Sequence, residues 1–164
     1  MRGDIVLYRS SGRWYERAIV FATKGPMVHV AIQTSDNQVI AATTQGIDYC
    51  PYTYDAKVHT VISLVPQYAT QIEIEAGLKW VISQAGKRYS WWDVFYQAVK
   101  FMNPNNKLRL YSEGEYDCSD LATRYLQQTG VQLPQDYEPY TVTPNDLARW
   151  AGLISPRKGT GNSG

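Results

Sequence analysis

The chain has 164 residues, 44% of them hydrophobic and 19% charged, a composition typical of one globular domain. Its net charge of +1 offers no basic field to a nucleic acid, and no uninterrupted apolar run approaches the roughly 20 residues of a membrane-spanning helix. We therefore expect neither a nucleic-acid-binding protein nor an integral membrane protein.

The N-terminus and the cysteines bear on location and redox state. Asp4 stands beside a short strand-like run, and no long apolar segment of a signal peptide follows. We expect synthesis in the cytoplasm without a signal peptide. Cys50 and Cys118 are too few for a disulfide framework; they could pair with each other, but reduced thiols are the simpler interpretation.

The first half of the chain predicts strands with one early helix. Alternating or continuous apolar runs predict strands at 4–8, 27–33, 38–43, 46–50 and 58–65. Apolar residues at helical spacing predict a helix at 13–24, which the Gly25-Pro26 pair ends. The polar turn at 35–37 predicts a hairpin between two of the strands.

The second half predicts helices. They are expected at about 69–85, 91–101, 118–130 and 143–153, with a polar connection at 103–115. Thr143 is the expected cap of the last helix. The tail at 155–164 lacks apolar anchors, so we expect it to be disordered. Strands followed by helices predict a single α+β domain over 1–154, an antiparallel sheet packed against helices.

The run YDCSDLATRYL (116–126) places Cys118 at the start of a helix. Apolar or aromatic residues share its helical face: Leu121, Ala122 and Tyr125. Asp117 is a good N-cap, and Asp120 stands where a capping-box acid belongs. Because the first turn presents unpaired N–H groups and the positive dipole end, it favours a thiolate. We therefore predict a nucleophilic cysteine on the inward face.

A cysteine nucleophile needs a base, and the chain has only two histidines. His29 lies in a predicted strand, shares a face with Ala31, and alternates with Val28, Val30 and Ile32. The small Ala31 leaves room for the Cys118 helix on that face. His59 has no comparable local context, so we expect His29 to be the base.

Structural alternatives exist for these residues. A lone buried cysteine is more often a small hydrophobic side chain than a nucleophile, and a lone strand histidine is usually structural. Cys50, which precedes Pro51 and starts no helix, is expected to be structural. The cysteines and histidines show no metal-ligand spacing and the glycines form no phosphate loop, so we expect no metal and no cofactor.

Four segments share motifs with one group of enzymes. YDCSDLATRYLQQTGVQLP (116–134) has an Asp-Cys-Ser opening a helix that runs to a Gly and a Leu-Pro, and GKRYSWW (86–92) has a G-x-x-Y-x-W pattern. GDIVLY (3–8) has a G-D-(I/L)-V strand, and HVAIQTSDNQVIAATTQGI (29–47) a His-bearing hairpin. These motifs resemble the NlpC/P60 cysteine peptidases. Their order, with the Cys segment last, is similar to the circularly permuted YiiX/YaeF-like branch of papain-related amidases.

The resemblance implies a papain-like fold with the catalytic Cys at a helix N-terminus. Carried over, it makes Cys118 the nucleophile and His29 the base, while Tyr89 helps the Cys118 backbone N–H to stabilise the oxyanion. The implied reaction is thiolate attack on an amide or ester carbonyl, an acyl-enzyme, and release by water or another acceptor.

The third polar residue of the family, which orients the His, falls on Ala41 in this chain. Thr43 and Gln45, next on the same strand face, are candidate orienters of His29. Because losing the orienter usually lowers the rate but leaves some activity, a Cys-His dyad is an alternative to a triad. Residues 93–115 are longer than the corresponding family segment and would form an insertion beside the site.

Three functions compete. The first is a cysteine hydrolase of amide bonds, with peptidoglycan stem peptides or related cell-wall amides as substrates. The second, which Ala41 motivates, is a non-catalytic structural or binding protein that keeps the fold, for instance assembled into a phage particle.

The third function is an acyltransferase or thioesterase for lipid-like substrates. The permuted branch also resembles lecithin retinol acyltransferase-type enzymes, but Ser119 and Asp120 replace the Glu-His that typically follows their Cys. For any cell-wall substrate, a phage particle, secretion or lysis would have to bring the chain to it.

Overall fold

The computed structural model describes residues 1–12, 14–53, 59–63, 67–89, 116–134 and 141–152. Three sequence predictions lie outside these ranges: the helix at 91–101, the connection at 103–115 and the tail at 155–164.

Within the described ranges the strands and helices follow the predicted order. The strands are β1 (Ile5–Arg9), β2 (Met27–Ser35), β3 (Gln38–Thr43), β4 (Gly46–Pro51) and β5 (His59–Ile62). The helices are α1 (Trp14–Thr23), α2 (Gln71–Ile82), α3 (Cys118–Gln128) and α4 (Pro144–Trp150). The predicted elements in these ranges are confirmed, and their ends differ from the observed ones by no more than three residues.

The strands form one antiparallel sheet in the order β4-β3-β2-β1-β5. The strands β2, β3 and β4 follow one another through short turns, so the predicted hairpin is confirmed. The strand β5 pairs with β1, which therefore lies inside the sheet between β5 and β2. The fold is α+β, as the sequence predicts.

The alternation of side chains along the strands gives the sheet two buried faces. The helical face, which packs against α2, α3 and α4, carries Leu7, Val30, Ile32, Ile40 and Ala42. The opposite face carries a smaller buried cluster: Val6, Tyr8, Ala31, Val39 and Ala41. The position of a residue in this alternation therefore decides whether it meets the helices.

Side-chain caps fix where two of the helices begin. Thr70 and Glu73 form a reciprocal capping box at the start of α2, and Thr143 and Asp146 form one at the start of α4. The predicted Thr143 cap is confirmed. In the described part of the chain, no helix combines the length and the hydrophobicity needed to cross a bilayer.

Candidate active site

Cys118 is the first residue of α3. The Asp117 side chain accepts a hydrogen bond from the Asp120 backbone N–H at 2.7 Å, which confirms Asp117 as the N-cap. The prediction that Asp120 completes a capping box is wrong. Its carboxylate instead accepts from Arg124 Nε at 2.8 Å, one helical turn further on, because a cationic partner lies there.

The helix α3 buries the face that the sequence predicts, but it packs on the other side of the sheet from the predicted one. Cys118 is 9% exposed and belongs to the cluster that contains Leu121, Val30 and Ile32. The helix therefore packs on the Val30 face, and the expectation that it lies on the face of Ala31 is wrong. The branched side chains of the Val30 face fill the space under a helix, whereas Ala31 lies in the cluster on the other face.

The pairing of β2 with β3 covers only part of the two strands. Toward His29, the pairing stops at Ile32 and Ile40. The Gln33 N–H points toward β1, since it donates to the Asp4 carbonyl at 2.8 Å. Because N–H directions alternate along a strand, the Val30 N–H points to the β3 side, past the end of that ladder.

Cys118 packs in the same buried cluster as Val30, and the Val30 N–H acts to lower the pKa of the Cys118 thiol. The nitrogen of Val30 is bonded to the carbonyl carbon of His29. The structure thus brings the start of α3 next to Val30, the neighbour of His29 in β2.

Burial controls the ionisation of the thiol. Burial, followed by the nearby Asp117 carboxylate, raises the pKa of Cys118 to about 12. Hydrogen bonds from the Val30 and Cys118 backbone N–H groups and from the Ser119 hydroxyl oppose that rise. These donors favour the thiolate, but the loss of hydration outweighs them, so the resting thiol is neutral.

His29 faces the other side of the sheet. It pairs directly with Tyr8 of β1, and the two ring centroids are 5.8 Å apart. The imidazole is partly exposed, and burial lowers the pKa of His29 to about 4. The side chain is therefore neutral near pH 7 and can accept a proton.

Tyr89 lies next to the segment that leads into α3. It forms a parallel bridge with Tyr116, whose N–H donates to the Arg88 carbonyl at 3.3 Å. The segment that contains Tyr89 also pairs with the start of β4, where the Ile47 N–H donates to the Lys87 carbonyl at 2.9 Å. Tyr89 is thus held beside Tyr116, which precedes Cys118 by two residues.

The candidate orienters of His29 have different surroundings. The Thr43 hydroxyl donates to the Gly46 carbonyl at 3.1 Å and accepts from the Gln45 N–H at 3.3 Å, so its proton is used in the turn between β3 and β4. The Gln45 side chain is exposed. Ala41 is buried in the cluster that also holds Tyr8.

The second cysteine packs against the cluster of Tyr8 and Ala41, on the face of the sheet opposite α3. Cys50 is a free, partly buried thiol on β4, and burial followed by the Asp48 carboxylate raises its pKa. In the described ranges, no three His, Cys, Asp or Glu side chains are grouped so as to hold a metal ion. Sequence reasoning missed two contributors, the Val30 N–H and the Ser119 hydroxyl. Only the role of the Ser119 hydroxyl could have been predicted from the sequence, because Ser119 directly follows Cys118.

A comparison with models of known protein families finds no match, and a comparison with curated proteins finds no similar sequence.

Proposed function

We propose that this chain is a cysteine hydrolase of amide bonds, with Cys118 as nucleophile and His29 as base, in a papain-like fold of the permuted NlpC/P60 type. One observation carries the proposal: Cys118, the first residue of α3, packs in the same buried cluster as Val30, the residue that follows His29 in β2. This contact joins a thiol at a helix start to the strand segment of a neutral histidine, two parts of the chain with no proximity in sequence.

The proposed reaction needs the imidazole to leave its place beside Tyr8. The ring lies on the face of the sheet opposite α3, and the backbone fixes the direction of its Cβ, so the β2 backbone at His29 has to move as well. Because the pKa is about 12 for Cys118 and about 4 for His29, the proton stays on sulfur in the resting protein. His29 then acts as a general base during attack, rather than through a preformed ion pair.

The chemical steps follow from these roles. As the Cys118 sulfur bonds to the amide carbon, its proton passes to His29, and the carbonyl oxygen becomes an oxyanion. The Cys118 backbone N–H and the Tyr89 hydroxyl donate to that oxyanion. The C–N bond then breaks and His29 protonates the leaving amine. A water, whose proton His29 accepts, bonds to the thioester carbon, the C–S bond breaks to release the acid, and His29 returns the proton to the Cys118 sulfur. The resemblance to cell-wall peptidases supports peptidoglycan peptide amides as the substrates.

A non-catalytic binding protein is the second candidate, and a specific observation favours it. In the structure the imidazole ring lies beside Tyr8, on the face opposite α3, and the thiol is buried and neutral. Ala41 stands at the position of the family's third catalytic residue. A fold kept for binding would show this same arrangement.

The deciding experiment follows the fate of Cys118. The Cys50→Ser protein, which keeps one thiol, is incubated with a cell-wall digest and with panels of acyl amides, esters and thioesters. Mass spectrometry then monitors the products and any acyl adduct on the protein. We expect turnover and an adduct on Cys118, loss of both in Cys118→Ala, and a loss of rate of at least about 100-fold in His29→Gln.

Two outcomes go against the hydrolase. Turnover that persists in Cys118→Ala removes Cys118 as the nucleophile. A folded Cys50→Ser protein that gives neither product nor adduct with any substrate favours the binding protein. Turnover of esters or thioesters alone, with acyl transfer to an added acceptor, indicates the acyltransferase.

A further inference from the structure

The strand β4 is at one end of the strand order, so one side of its backbone faces away from β3. On that outer side the Ile47 N–H donates to the Lys87 carbonyl at 2.9 Å, and the Ile47 carbonyl accepts from the Gly86 N–H at 2.8 Å. The register with β3 is regular from Gly46 to Pro51. Because backbone directions alternate along a strand, the backbone groups of Tyr49 and Pro51 also point outward.

The outer side of β4 is exposed beyond Ile47. Among the residues that the structure describes, the backbone hydrogen bonds on this side are those of Ile47. Asp48, Tyr49 and Pro51 are exposed. An exposed sheet edge is a template for a strand of another molecule, and tyrosine is among the residues that favour strands. This part of β4 is therefore a place where strand pairing between molecules could begin.

The chain leaves no N–H group available there. The Tyr49 N–H donates to the Asp48 carboxylate at 2.7 Å, a hydrogen bond between neighbouring residues of the same strand. Pro51 has no backbone N–H. An antiparallel pair needs N–H donors from both strands. The two outward positions after Ile47 therefore offer no donor to a second strand.

We propose that the Asp48 side chain and Pro51 prevent β4 from pairing with β4 of a second copy of this chain. A second copy presents the same edge, and a symmetric contact of identical edges is the commonest form of self-association. Proline and charged residues on edge strands are established means of blocking such contacts. Neither Asp48 nor Pro51 has a role in the proposed reaction, so this inference is independent of the hydrolase proposal.

The test measures the mass of the full chain in solution under reducing conditions. Analytical ultracentrifugation compares the wild type with Asp48→Ala, Pro51→Val and the double variant at concentrations up to about 1 mM. We expect a constant mass for the wild type, and a mass that rises toward twice that value in the double variant. Its association constant should exceed that of the wild type at least about tenfold, because two N–H groups per copy become available.

Hydrogen exchange identifies the contact. In the double variant, exchange of the Tyr49 N–H should slow as the protein concentration rises, because this group then bonds to the second copy. In the wild type its exchange should not depend on concentration. Association without slower exchange at Tyr49 would place the contact elsewhere and overturn the proposal.

Asp48→Asn is the matched control, because it removes the charge but keeps an Oδ1 acceptor for the Tyr49 N–H. It should associate no more than the wild type. Association as strong as that of Asp48→Ala would assign the effect to charge and overturn the hydrogen-bond account.

Two further outcomes would overturn the proposal. One is a double variant that circular dichroism shows to be folded and that keeps the wild-type mass at about 1 mM. The other is a wild type that already dimerises with slower exchange at Tyr49. If the double variant does not fold, Pro51→Val alone, which adds one N–H to the exposed end of β4, is judged by the same criteria.

Discussion

The side chain of Asn145 forms with the backbone of Met27 the two hydrogen bonds that a neighbouring strand would otherwise form. The Met27 N–H donates to Asn145 Oδ1 at 2.8 Å, and Asn145 Nδ2 donates to the Met27 carbonyl at 2.8 Å. Asn145 Nδ2 also donates to the Thr23 hydroxyl at 2.7 Å. A Cβ at Gly25 would overlap the Asn145 amide, so a glycine is needed for this approach. The clamp fixes the start of β2, two residues before His29.

Asn145→Ala is expected to lower the free energy of unfolding by about 2–4 kcal/mol, because it removes the partners of two buried backbone groups. Denaturant titration gives this value. Gln127→Ala, which truncates an exposed amide on α3, is the control and should change the value by less than about 0.5 kcal/mol. Similar values for the two variants would show that the clamp contributes nothing specific.

Asp117→Asn is expected to increase the reactivity of Cys118. The Asp117 carboxylate raises the pKa of the thiol, so its removal lowers that pKa, while Asn still caps the helix. In a Cys50→Ser background, iodoacetamide should alkylate Cys118 slowly at pH 7, and about threefold faster in Asp117→Asn. Asp48→Asn, which changes a carboxylate near Cys50 only, is the control. An unchanged or slower rate in Asp117→Asn would contradict the electrostatic account.

His29 is expected to make the protein less stable in mild acid. Its pKa is lowered from 6.5 to about 4 in the folded protein, so between these pH values the unfolded chain binds more protons. The free energy of unfolding should therefore fall as the pH is lowered from about 6.5 to about 4. The loss should be on the order of 2 kcal/mol, because the ring is partly exposed.

His29→Gln separates this effect from the titration of carboxylates. The pH dependence over that interval should be shallower in His29→Gln than in the wild type, while His59→Gln should leave the His29 contribution in place. An NMR titration of the His29 ring with a midpoint near 6.5 would remove the basis of this expectation.

Lys24→Gly is expected to stabilise the protein. Lys24 follows the last residue of α1 with a φ of 51°, a left-handed conformation that glycine adopts without steric cost. Thermal unfolding should show a gain of about 0.5–1 kcal/mol. Lys24→Ala is the matched control, because it removes the long side chain but keeps the Cβ, and it should give no such gain. Equal effects of the two variants would assign the change to the lysine charge.

The sequence by itself determined the local features around Cys118. The Asp117 cap, the inward stripe of α3 and the strand alternation around His29 depend on residues within a turn or two of one another, so they can be inferred from spacing alone. The antiparallel α+β class follows for the same reason, from the order of strand and helix patterns.

Only the tertiary structure decided which face of the sheet α3 covers and how the thiol ionises. Val30 and Ala31 are both apolar, so the sequence pattern could not say which of them the helix would meet. The pKa of Cys118 depends on the summed burial by elements distant in sequence. Whether the Val30 N–H can act on the thiol depends on where the pairing of β2 with β3 stops. These are long-range quantities, set by the packing of the whole domain, and no local spacing of residues encodes them.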